Sequence, residues 1–246
     1  MLSQDIPHWL RSLIYPGLDL HTRNRASLRR FWKTGPRDVL DAGSGNGYFS
    51  WLAYESGARV VAMNIERAQV EKARDFLLGY KKGDPTRIRF EQCNLYDLRK
   101  ESRAFDEIIC FEVLEHLARD SDVVKEFFRI LRPGGMLHLC CPYRLHPQHR
   151  AEVLDSNETG GHVRAGYTEA DYRKLLEPLG FRIDNVAGIG PKSVCVADNI
   201  LRVIRESLGD IFALPFLPLA LPWVWFARLN PKTPFSLYVT AVKPAN

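Results

Sequence analysis

Short apolar runs recur along this chain, and most are followed by stretches in which apolar positions return every three or four residues. The first pattern reads as a buried strand and the second as an amphipathic helix. Strands are expected at about 37–41, 59–63, 87–92, 105–110, 136–141, 181–186 and 235–242. Helices are expected from Tyr48 to Glu55, Glu66 to Leu78, Ser121 to Leu131 and onward from Thr168, whose hydroxyl meets Asp171 three residues later as a helix-start signal. Ser56-Gly57, Gly79, Pro133-Gly134-Gly135 and Pro178 with Gly180 supply the stops. Upstream, residues 5–33 read as one or two amphipathic helices, with Trp9, Leu10, Leu13, Ile14, Leu18 and Leu20 as apolar positions broken by Pro16-Gly17. Strands alternating with helices imply a mostly parallel α/β sheet covered on both faces, with ligands beyond the carboxyl ends of its strands.

The first strand runs directly into Asp41-Ala42-Gly43-Ser44-Gly45-Asn46-Gly47. Alternate glycines let a ligand lie against the backbone of a strand-to-helix turn, where the helix N-terminus offers N–H groups and partial positive charge. The spacing is Gly-x-Gly-x-Gly behind an acid, which differs from the Gly-x-Gly-x-x-Gly of dinucleotide dehydrogenases.

A length of 246 residues holds one large domain or two small ones. Residues 1–37 contain Arg11, Arg23, Arg25, Arg29, Arg30, Lys33 and Arg37 against Asp5 and Asp19, a surplus equal to the chain's net charge of +5. Such a leader reads as a solvated helical face or as a surface drawn to an anionic partner. Five cysteines without a Cys-x-x-Cys pair fit free thiols in a reducing compartment, and no continuous apolar run of the secretory kind opens the chain. A cytoplasmic location, with membrane association as its variant, is expected. Ile211 to Ala227 is uncharged, is broken by Pro215, Pro218 and Pro222, and contains two tryptophans near its end. It is too short and broken to span a bilayer, and reads either as a hydrophobic lid or dimer contact, or as a greasy mouth or peripheral membrane contact.

Phe105-Asp106, Glu112-x-Leu114-Glu115-His116 and Leu131-Arg132-Pro133-Gly134-Gly135 follow the glycine loop in that order. Together these motifs resemble the small-molecule branch of the class I S-adenosylmethionine-dependent methyltransferases, over roughly residues 37–186. The resemblance implies a Rossmann-like seven-stranded sheet of order 3-2-1-4-5-7-6 with an antiparallel last strand. It divides the chain into an N-terminal helical cap, 1–36, and a methyltransferase domain, 37–246, with a substrate loop at 142–167 and an apolar helical insertion at 211–227. By position, Asp41, Gly43, Ser44 and Gly45 would hold the methionine portion of S-adenosylmethionine. Asn64 would face the ribose, Ile65 and Leu95 would pack on adenine, Asn94 would bond the adenine amine, and Phe111 would sit beside the methionine end. The family usually has an acid where Asn64 stands and commonly Asp where Asn94 stands, so cofactor binding is expected to be weaker.

The implied reaction moves the sulfonium methyl to oxygen or nitrogen of a small metabolite, lipophilic or lipid- or glycan-linked, and leaves S-adenosylhomocysteine. For a hydroxyl acceptor, His116 and His162 are the candidate catalytic bases. Glu112, Glu115, His116 and His162 also resemble the metal sites of a quinone-biosynthesis O-methyltransferase branch and of an RNA 2′-O-methyltransferase branch. Because the same string occurs in metal-free relatives, no divalent metal is expected. Nor is nucleic acid, since the arginines lack interleaved aromatic residues. The alternatives are a metal-dependent RNA 2′-O-methyltransferase and a non-catalytic cofactor-binding relative. A monomer or homodimer fits equally.

Overall fold

The computed structural model describes residues 15–98, 103–151, 153–155 and 157–245. The apolar positions expected at Trp9, Leu10, Leu13 and Ile14 lie outside these residues. Seven strands form one sheet: β1 (Asp38–Ala42), β2 (Arg59–Asn64), β3 (Ile88–Gln92), β4 (Phe105–Phe111), β5 (Leu131–Pro142), β6 (Arg182–Ile189) and β7 (Ser236–Val242). Their order is β3-β2-β1-β4-β5-β7-β6, with β7 antiparallel to β5, as the motif order implied. The described helices are α1 (Leu20–Arg25), α2 (Tyr48–Glu55), α3 (Arg67–Arg74), α4 (Asp120–Ile130), α5 (Pro147–Arg150), α6 (Glu169–Leu176), α7 (Lys192–Leu208), α8 (Asp210–Ala213) and α9 (Leu217–Trp225).

The strand register sorts the sheet's side chains into two unlike faces. Leu40, Ile108, Leu137, Leu139, Val239 and Ala241 point one way and form an apolar core with Val124 and Phe127 of α4 and Tyr172 of α6. The other face carries Asp41, Glu107, His138 and Thr240, all buried. There Glu107 pairs with Arg37, accepts from the Lys33 N–H at 2.7 Å and meets His138 Nε2 at 3.2 Å. His138 Nδ1 lies 2.8 Å from the Tyr238 hydroxyl, which links β4, β5 and β7 through one polar chain. Such a buried group is tolerable only because its oxygens are paired.

Four elements depart from the expected ones. Helix α4 ends at Ile130 and β5 begins at Leu131, five residues earlier than expected. Pro133 forces Arg132 out of the helical region, and the Pro133-Gly134-Gly135 run then bulges, because Phe105 pairs with Leu131 while Glu107 pairs with Met136. The helix expected over 66–78 is α-helical only to Arg74 and continues as a wider turn over Asp75–Tyr80. The segment 142–167, expected as a loop, contains α5 and a parallel bridge between Tyr143 and Tyr167. Helix α7, seventeen residues long, was not anticipated.

By compactness the chain divides into two units, at places the composition does not mark. One takes Phe31–Ala187 with Ser236–Asn246 and includes most of the sheet. The other takes Met1–Arg30, described from residue 15, with Gly188–Phe235. Its core is Leu18 and Leu20 packed with Val194, Leu201, Ala213 and Leu217. Within it Asp198 accepts from the Leu20 N–H at 2.7 Å, and Asn24 accepts from the Gly190 N–H at 2.9 Å. No described helix is long and apolar enough to cross a membrane.

Candidate active site

Strand order reverses between β1 and β4, so the loops after these two strands flank the crevice where ligands of such sheets bind. The β1 loop is stiff. Gly43 and Ser44 both donate to the Met63 carbonyl, at 2.9 and 2.7 Å, and Gly47 donates to the Ser44 carbonyl at 2.8 Å. Its three glycines answer different needs. All have left-handed φ, of 84°, 53° and 79°. A Cβ on Gly43 would stand 2.2 Å from Val113 in the β4 loop, and one on Gly47 would stand 2.7 Å from Leu77. Only at Gly45 would it enter open space. At Gly43 and Gly47 the missing Cβ lets protein pack on protein, and at Gly45 it leaves open space.

Asp41, at the end of β1, is buried and accepts a 2.5 Å hydrogen bond from Ser50 of α2. Burial pushes its carboxyl up to about 6, against the pull of the Ser50 contacts. Phe111, ending β4, is buried edge-on against Phe49, with ring centroids 4.8 Å apart. Trp32 lies 6.4 Å from it, and its buried indole N–H has no hydrogen-bond partner among the described residues. Beyond β2, the Asn64 side chain accepts from the Glu66 N–H at 2.9 Å, and Ile65 is 61 % exposed. Beyond β3, Asn94 accepts from the Tyr96 N–H at 3.0 Å, and Leu95 is buried in the main core.

After β4, Glu112 to His116 forms no continuous helical turn. Glu112 has φ of 55° and faces the Ser236 hydroxyl at 3.3 Å, while Leu114–His116 makes a 3₁₀ turn. Glu112 is not among the donors that gather around Glu115, which is fully buried. The His116 and His162 rings lie 4.7 Å apart, and with Glu115 they offer donor atoms within 4.8 Å of one another. His116 Nδ1 sits 3.0 Å from the Gly161 carbonyl, which can only accept, and Nε2 lies 4.0 Å from Glu115 Oε1.

Residues that sequence reasoning did not single out hold His162 in place. Val163 donates to the Glu115 carbonyl at 2.8 Å, and Arg164 pairs with Asp120 and donates to the carbonyls of Leu117 and Ala118 at 2.7 and 3.1 Å. Glu158 accepts from the Tyr96 hydroxyl at 2.7 Å and from the Ala118 N–H. Asp155 gathers the Thr159 hydroxyl and the N–H groups of Asn157, Thr159 and Gly161, which lower its carboxyl to about 2. The cluster of turn formers at Asp155, Asn157 and Thr159 was its one readable signal. His146 and His149 are buried side by side in the same loop, 5.3 Å apart, and burial lowers the His146 pKa.

Residues 40–139 match the family model described as a methyltransferase domain. The chain is 30% identical over 153 residues to a probable S-adenosylmethionine-dependent methyltransferase of Mycolicibacterium smegmatis, covering 62% of this chain and 55% of the relative. It is 33% identical over 186 residues to the 27-O-demethylrifamycin SV methyltransferase of Amycolatopsis mediterranei, covering 72% and 67%. The chain spans about half the length of several curated relatives it matches. Among solved structures, a SAM-dependent methyltransferase from Aquifex aeolicus shares the fold at a TM-score of 0.60 and 15% identity, covering 98% of this chain and all of that one.

Proposed function

Because the chain belongs to the class I S-adenosylmethionine-dependent methyltransferases, we propose that it transfers a methyl group to a hydroxyl oxygen of a small, lipophilic acceptor. The residues around the β1 loop suit that donor. Of the loop's three glycines Gly45 borders open space, a buried carboxyl stands behind the loop, and an apolar side chain is left exposed beyond β2. Asp41, Gly43, Ser44 and Gly45 would hold its methionine portion, and Phe111 would lie beside that end. Asn64 would face the ribose, and Asn94, Ile65 and Leu95 would bind the adenine. When bound, the donor supplies an activated sulfonium methyl. The chain's own part is then to align the acceptor, exclude water and accept the hydroxyl proton.

The observation that carries this reading is the meeting of two imidazoles beside a buried carboxyl: the His116 and His162 rings lie 4.7 Å apart, and His116 Nε2 stands 4.0 Å from Glu115 Oε1. Oxygen as the acceptor atom is also supported by the O-demethylrifamycin substrate in the name of one relative. The test is transfer of labelled methyl into a cell extract, split into organic, aqueous and RNA fractions. Label is expected in the organic fraction. His116→Gln or His162→Gln should lower turnover about a hundredfold or more with cofactor affinity unchanged. Full turnover in both variants would overturn the base assignment. Cofactor binding with no label in any fraction would favour a non-catalytic relative.

The donor atoms of Glu115, His116 and His162 favour a second reading, against the expectation of no metal. A carboxylate with two imidazoles suits Mg²⁺ or Mn²⁺, and the Gly161 carbonyl behind His116 is the kind of outer partner a metal-bound histidine uses. Such an ion would polarise the acceptor oxygen. Activity lost to a chelator and restored by Mg²⁺ or Mn²⁺ would establish this reading, and label in RNA under the same control would redirect it to RNA.

A further inference from the structure

Eleven of the fifteen large hydrophobic side chains exposed among the described residues belong to the unit built from Gly188–Phe235 and the N-terminal segment. Leu219, Trp225 and Phe226 are 71, 70 and 82 % exposed, and Phe212 and Trp223 are more than half exposed. A groove of about 470 Å³ opens on the same surface, lined by Val196, Ile200, Phe216, Leu219 and Trp223, with Lys192 among its lining. An apolar surface of this extent marks a place where something binds.

Charge points to what that is. The described part of this unit carries nine basic and four acidic side chains, a surplus equal to the whole chain's +5. Beyond Asp210 the chain has no acid at all. Arg202 and Arg205 are paired with Glu206 and Asp210. Lys192, Arg228 and Lys232 are exposed and make no ion pair among the described residues. A second copy meeting this face around a two-fold axis would bring Lys192, Arg228 and Lys232 toward the same three cations, while Glu206 and Asp210 are already paired with Arg202 and Arg205. An anionic bilayer answers both features: the apolar residues enter the interface, where tryptophan is favoured, and the lysines and arginine meet phosphates.

We propose that the exposed apolar face of α7 and α9 docks on the surface of an anionic bilayer, with Leu219, Trp225 and Phe226 entering it and Lys192, Arg228 and Lys232 contacting the headgroups. The contact is peripheral. The apolar segment is divided into Asp210–Ala213, Leu214–Phe216 and Leu217–Trp225, with Pro215 and Pro218 opening the second and third pieces and Pro222 inside the third, and none is long enough to span. The proposal stands apart from methyl transfer, because every residue it names lies outside the loops that follow β1 to β4.

Co-sedimentation of the full chain with vesicles of phosphatidylcholine, alone or mixed with phosphatidylglycerol, tests it. The protein should pellet with the mixed vesicles and release as salt is raised. Combining Leu219→Glu, Trp225→Glu and Phe226→Glu should lower partitioning about tenfold or more. Lys192→Glu, Arg228→Glu and Lys232→Glu should each lower it about fivefold and flatten the salt dependence. All these positions are exposed, so circular dichroism and S-adenosylmethionine affinity should match the parent protein and report an intact fold. A parent protein that stays in the supernatant with both vesicle types overturns the proposal, as do glutamate variants that pellet like the parent. A concentration-dependent dimer that these variants dissociate, without vesicle binding in either form, would assign the face to a second copy instead.

Discussion

Asn64 and Asn94 each turn a carboxamide oxygen back to the N–H two residues on, at 2.9 and 3.0 Å, a turn that an aspartate would make equally well. The amide therefore alters what the outward side of each turn offers a ligand while keeping the backbone. Asn64→Asp should restore an acceptor pair for ribose hydroxyls and tighten cofactor binding about tenfold, read by calorimetry. Asp41 illustrates the opposite tension. Its carboxyl is raised from 3.8 to about 6, so its contribution to stability is fully present below 3.8 and is lost as pH rises through about 6. Asp41→Asn should remove that dependence, raise the melting temperature at neutral pH and weaken binding of the cationic cofactor. In the parent protein that binding should itself fall as pH drops below 6. Asp41, the glycines and the two histidines were readable because their chemistry is local to a motif. Ser50, Trp32 and Glu158 were not, because each acts only through a partner that folding brings to it.

Between elements, the polar chain on one face of the sheet is where stability should be most sensitive. Burial alone would raise the Glu107 pKa, but His138, Arg37 and the Lys33 N–H outweigh it and the value is lowered. Its stabilising contribution is present above the ordinary glutamate value of 4.5 and declines as pH falls below it. Arg37→Met should cost about 3 kcal/mol in urea unfolding, because a buried carboxylate loses its main cation, and adding Glu107→Leu should recover part of that loss. Helices and strands with clean periodicity, such as α2 and β2, were legible to within a residue. The start of β5 was not, since Pro133-Gly134-Gly135 reads as a stop although the strand already pairs at Leu131. Helix α7 escaped notice because its exposed Val196, Ile200 and Val203 interrupt the polar side that marks an amphipathic helix.

Over the whole molecule, one association was hidden from a linear reading: the exposed apolar residues of Gly188–Phe235 share a unit with part of the basic N-terminal segment far away in sequence. The thiols are also set by the fold. Cys110, Cys140, Cys141 and Cys195 are buried, and burial pushes the Cys195 thiol up to about 11 and holds those of Cys110 and Cys141 well above the ordinary thiol value. A thiol reagent should therefore label Cys93 rapidly in the native protein and the other four only after denaturation, which peptide mapping would show. The sheet order carries a last consequence, for synthesis. Strand β7 lies between β5 and β6, yet it leaves the ribosome after both. Until Ser236–Val242 emerges, the Met136–Pro142 edge of β5 has no neighbour on that side. The nascent chain must therefore hold an open sheet while Gly188–Phe235 is being made, and chains stalled before residue 236 should be captured by holdase chaperones far more than chains stalled after it.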